Sequence, residues 1–187
     1  MMKPAIVTCL LLGIVGCGTY QPVVADQAQI PAGALGGGLD PDVTAANLAQ
    51  YAFADSGRTY GRPVDAARAA ISLEYLAGAI YNSPRWSNVS ALTKEQLLQG
   101  RRELRTALGV APAATSQQVV DTLVAAETAL LSDDQAGAAR SLEGPVYTGS
   151  GQQTLAVLSK MPYLRMANVA TMRLQSQLFD NSGDDRF

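Results

Sequence analysis

Histidine is absent from this chain, and its two cysteines are Cys9 and Cys17. That removes most of the familiar catalytic and ligating chemistry: a His-based triad, haem held by His, or an ordinary zinc site. A Ser–Lys nucleophile does not fit either, because neither Lys94 nor Lys160 has a serine three residues before it. Carboxylate chemistry remains, and Glu74 is its leading candidate. At about 100° per residue on a helix it lies opposite Asp65 and near Ala67, Ala70 and Gly78, away from the other polar side chains of that segment. A glutamate buried among small apolar neighbours needs an arginine partner or a raised pKa, and a group of that kind is a candidate for function. The alternatives are a solvent-facing side chain or a structural ion pair.

A helix-borne glutamate acting as an acid would resemble the lytic transglycosylases, helical peptidoglycan-cleaving enzymes that are often lipoproteins. That family places Ser after its catalytic Glu and carries a Gly-Leu-Met-Gln-type segment. Here Tyr75 follows Glu74 and no such segment exists. No enzymatic activity is therefore expected.

The remaining candidates are surfaces. Arg101, Arg102 and Arg105 form a basic cluster that could meet lipid headgroups or an acidic partner, or simply be a solvated face with Glu103 interspersed. Arg85 and Trp86 sit where two helices are joined. Trp86 is either a plug over the core or, if exposed beside Arg85, a binding anchor, and Tyr147 is a second candidate anchor. Asp180-Asn181-Ser182-Gly183-Asp184-Asp185 starts like a calcium loop, but its glycine falls too early and no closing glutamate follows. Residues 181–187 read as a polar tail, and no metal site is expected.

The net charge is −2 and aromatic content is 6%, which gives no electrostatic case for nucleic acid. Hydrophobic residues make up 48% of the chain, enough for one core in a domain of about 150 residues.

Helices must position these groups. Asp40-Pro41 is an N-cap followed by proline at the first helical position, opening a helix to about Ala54. Pro63 opens the next, to about Tyr81. Capping boxes are expected at Thr93…Gln96, Thr115…Gln118, Ser132…Gln135 and Ser150…Gln153, with Leu92 and Leu97 as a hydrophobic staple at the first. They predict a third helix ending at Gly109, a fourth over 116–131, a fifth over 133–142 and a sixth from 151. Pro162 predicts a break before a last helix to about Phe179. Its buried stripe reads Tyr163, Ala167, Ala170, Leu174 and Leu178, and that of the second helix Ala69, Leu73, Leu76 and Ile80. The expectation is an all-α, compact bundle of about six to seven helices over 40–180, with no sheet.

Before the bundle, residues 17–39 contain Pro22, Pro31, Gly33, Gly36, Gly37 and Gly38 and predict a flexible tether spanning roughly 25 Å as a coil. Residues 1–16 predict a signal peptide: Lys3 supplies a positive start and Ala5 to Val15 an apolar run. The run is too short for a membrane-spanning helix, which needs about 20 residues. Ile14-Val15-Gly16-Cys17 resembles the lipobox of bacterial lipoproteins. The resemblance implies cleavage between Gly16 and Cys17, diacylglycerol on the Cys17 thiol and acylation of the new amine. A cut after Val23-Val24-Ala25, releasing a soluble chain from Asp26, and an uncleaved anchor are the alternatives. Gly18, rather than Asp, follows the cysteine, which by the same resemblance implies the periplasmic face of the outer membrane rather than the inner membrane.

The function expected from these features is a lipid-anchored periplasmic helical domain that binds or scaffolds in the cell envelope. It would reach the membrane through its acyl chains and meet an envelope protein or peptidoglycan. No cofactor is expected beyond the covalent lipid on Cys17. A peptidoglycan-active enzyme using Glu74, or a small-molecule binder with an apolar pocket between helices, are the alternatives.

Overall fold

Proline at the first helical position opens both α1 (Pro41–Ala54) and α2 (Pro63–Asn82) in the computed structural model, which describes residues 26–37 and 40–180. Proline costs nothing there, because its missing N–H has no intrahelical partner to lose. Asp40 caps α1 by accepting from the N–H groups of Asp42 and Val43. The chain continues through α3 (Ala91–Leu108), α4 (Ser116–Leu131), α5 (Gln135–Ser141), α6 (Gly151–Ser159) and α7 (Arg165–Asp180). Short 3₁₀ turns at Ser56–Arg58 and Pro84–Trp86 link α1 to α2 and α2 to α3. The fold is all-α, and the described residues contain no strand, only an isolated bridge between Val110 and Tyr147.

Helix α2 is the hub. Its expected stripe of Ala69, Leu73, Leu76 and Ile80 is buried, but so are Ala66, Ala67, Ala70, Ile71 and Ala77. A helix that is apolar nearly all round belongs at the centre of a bundle, and α1, α3, α4 and α6 all pack on α2. Helix α7 closes the bundle by packing on α1 and α3. Ala167, Ala170 and Leu174 form its buried stripe as expected. Tyr163 does not belong to it: the helix starts two residues later, and Tyr163 is exposed in the link between α6 and α7.

Capping explains which boundaries hold. The boxes at Thr115…Gln118 and Ser150…Gln153 form with both reciprocal bonds. The other two do not. Helix α3 begins before Thr93, because Ser90 is its cap and accepts from the Thr93 N–H. Leu92 is then exposed instead of stapling the helix. Ser132 ends α4, and Asp134 caps α5 by accepting from the Gly137 N–H. The fifth helix is correspondingly shorter than 133–142, and Asp133 turns the chain at φ 57°. Gly109 ends α3 in the left-handed region at φ 69°, as expected of a glycine terminator.

The expected tether is not free along its second half. Residues 26–37 form a strap along α2 and α4, with Ala28 and Leu35 buried in the core. Gln29 and Gln117 exchange hydrogen bonds at 2.7 and 3.2 Å. Gly78 makes the seat for the strap: a Cβ there would lie 2.5 Å from the Asp26 carbonyl oxygen and 2.9 Å from Gln27 Cα. The signal segment with Gly16 and Cys17, the linker up to residue 25, and the tail 181–187 lie outside the described residues.

Candidate functional site

Glu74 is fully buried on α2. Charge in such a place needs a partner that satisfies it geometrically, and α3 supplies one. Arg105 donates from Nε to Glu74 Oε1 and from Nη2 to Oε2, each at 2.8 Å. The planar fork of guanidinium matches the two carboxylate oxygens, a geometry lysine cannot reproduce. Of the three readings of Glu74, the structural ion pair is the one that the fold contains.

The rest of the cluster comes from α4 and the strap. Arg105 also donates to the Ala114 carbonyl at 3.0 Å and to Ser116 Oγ at 2.9 Å. Arg101, one turn earlier on α3, donates to Ser116 Oγ at 2.8 Å and to the Asp26 carbonyl at 2.9 Å. The Asp26 carboxylate accepts from the Ser116 N–H at the start of α4. Burial opposes the charge on Arg105, yet the Glu74 bond and the Glu74 and Asp26 charges outweigh it and raise its pKa. Burial lowers the pKa of Arg101, against the pull of Glu74 and Asp26.

The basic cluster expected on α3 is therefore not one surface. Arg101 and Arg105 face inward to tie α2, α3, α4 and the strap together, and only Arg102 is exposed. Glu103 does not dilute that face either. It reaches the start of α7 and accepts from the N–H groups of Met166 and Ala167, at 2.7 and 3.1 Å.

Trp86 is buried over the core and Tyr147 is buried with its hydroxyl 2.9 Å from Thr122 Oγ1. Trp86 is thus the core plug of its two readings, and Tyr147 is not the exposed anchor expected of it. Burial pushes the Tyr147 phenol up to about 12. The Arg85 guanidinium lies 5.3 Å from the centre of the Trp86 ring and pairs with Asp40 and, at 2.9 Å, with Asp42. Asp42 in turn accepts from the Tyr75 hydroxyl, so Arg85 belongs to a network that pins the start of α1 to α2.

A further ion pair was not visible in the sequence pattern. Arg68 on α2 donates to Glu127 on α4 at 2.7 Å, and burial raises the Glu127 pKa against the pull of that arginine. Its spacing of 59 residues leaves no local signal. A groove beside the strap, about 340 Å³, is lined by Ile30, Pro31, Leu35, Pro41 and Thr44 among others. It is separate from the Glu74 cluster.

Chemically, the Glu74 cluster is a closed joint. Both carboxylate oxygens are occupied by one guanidinium, and the strap covers the side on which Arg101 and Ser116 meet. No family model, curated protein or solved structure matches the chain.

Proposed function

We propose that this chain is a lipid-anchored binding or scaffolding module of the bacterial cell envelope, held at the periplasmic face of the outer membrane through acyl chains on Cys17. The lipobox-like Ile14-Val15-Gly16-Cys17 supports the anchor, and two or more acyl chains hold a protein durably where one is marginal. The observation that carries the binding-module reading is the bidentate grip of Arg105 on Glu74. The carboxylate best placed by the sequence for acid chemistry is engaged in holding helices together, and a peptidoglycan-cleaving role for it loses its support.

Cys17→Ser tests the anchor. The wild-type protein should fractionate with membranes, and the variant should appear in the soluble fraction or accumulate unprocessed. A variant that matures and stays in the membrane fraction like wild type would refute the reading.

A further inference from the structure

Tyr51, Tyr60 and Tyr163 are 50%, 62% and 55% exposed, and all stand at one end of the bundle. Asn168 near the start of α7 donates to the Ala54 carbonyl at 3.1 Å, and the Gly61 N–H donates to the Ser159 carbonyl at 2.8 Å. The ends of α1 and α6 thus meet the beginnings of α2 and α7. Cations accompany the rings. The Arg58 guanidinium lies 4.5 Å from the Tyr51 ring centre, with Nη1 donating to the Tyr51 carbonyl at 2.8 Å. The Lys160 ammonium lies 5.6 Å from the Tyr60 ring centre.

Arg62 and Arg165 add positive charge at the same end. The nearby carboxylates are engaged: Asp55 accepts from the Gly57 N–H, Asp65 pairs with Arg62 at 2.6 Å, and Glu103 accepts from the first N–H groups of α7. Counting Arg58, Arg62, Lys160 and Arg165 against Asp55, Asp65 and Glu103, this end carries an excess of one positive charge on a chain of net charge −2.

We propose that this tyrosine-rich end is a docking surface for the glycan strands of peptidoglycan. The proposal rests on the envelope-module reading. Pyranose rings present apolar C–H faces that lie flat on a phenol ring, while their hydroxyls keep contact with water. Peptidoglycan adds stem-peptide carboxylates, which complement Arg58, Lys160 and Arg165.

Position favours the same occupant over a bilayer. Asp26 seats against Gly78, and at 1.5 Å per residue Gly78 lies about 22 Å along α2 from Pro63. The chain leading back to Cys17 leaves from that far part of α2, so an anchored domain can turn its tyrosine end away from the membrane.

Detergent-extracted full-length protein should pellet with purified sacculi in a saturable manner, less at high salt because exposed charges are screened. Tyr60→Ser combined with Tyr163→Ser, and separately Lys160→Glu, should each weaken pelleting at least tenfold while the melting transition and helical circular dichroism stay as in wild type. In native envelopes, a photo-crosslinking residue replacing Tyr60 should give an adduct that muramidase collapses. Wild type that stays in the supernatant, a folded tyrosine variant that pellets like wild type, or a position-60 adduct consisting of a protein or a phospholipid would overturn the proposal. Pelleting does not require the acyl chains: native protein found to carry no acyl groups would refute the anchor, and the docking surface would stand if that protein still pellets with sacculi.

Discussion

Arg105 on α3 holds both carboxylate oxygens of Glu74 on α2, and the same guanidinium reaches Ser116 at the start of α4. One side chain therefore fixes the relative placement of α2, α3 and α4, while Arg101 and Asp26 fasten the strap to the same point. Glu74→Gln keeps the shape but removes the charge, stranding Arg105 in a largely buried setting. We expect a loss of about 3–5 kcal/mol in urea unfolding, the usual cost of breaking a buried pair from one side. Replacing both partners, Glu74→Leu with Arg105→Leu, should cost less than Glu74→Gln alone. A loss below about 0.5 kcal/mol for Glu74→Gln would mean that the pair does not hold the helices.

The strap gives an opposite kind of prediction. Alanine is a better helix former than glycine by about 1 kcal/mol in a helix interior, yet Gly78→Ala would push a methyl group into the Asp26 and Gln27 backbone. The strap must lift, and limited proteolysis should then cut within residues 26–37 where wild type resists. Leu35→Ala should produce the same cut and lower stability by about 2 kcal/mol, at the small end for a leucine truncation because Leu35 sits at the edge of the core. A Gly78→Ala protein as protease-resistant as wild type would refute the close seat.

Alkaline pH should act through Tyr147. Its phenol is pushed up to about 12 by burial, against about 10 in an unfolded chain. The fold therefore favours the neutral form. The stability this supplies is complete below about pH 10 and is lost as pH rises toward 12. Denaturant unfolding between pH 9 and 11.5 should show a decline that is shallower in Tyr147→Phe. Parallel curves for the two proteins would contradict the burial of that hydroxyl as a titrating group.

How much of this was legible in the sequence depended on whether the signal was local. Prolines at the starts of α1 and α2, the boxes at Thr115 and Ser150, and Gly109 all act within a turn of themselves, and each fell where the pattern put it. Ser90 and Asp134 took the capping roles expected of Thr93 and Ser132 because several hydroxyl and carboxylate side chains compete within one turn, and pattern alone does not rank them. The spacing of Arg101 and Arg105 told that they share a face of α3. It could not tell that the face turns toward Glu74, since that follows from how α2 and α3 cross. For the same reason pattern alone leaves Trp86 between core and surface and does not reveal that Tyr147 is buried. The strap is not legible because a segment rich in Pro and Gly reads as a linker, while its apolar residues, Ala28, Ile30 and Leu35 among them, find their places only in the assembled groove.

The most direct measurement of the central claim is the intact mass of the mature protein isolated from its native envelope. The account predicts residues 17–187 carrying acyl groups at Cys17, with a diacylglyceryl thioether recovered on the N-terminal peptide. An unmodified chain beginning at Asp26 would contradict it.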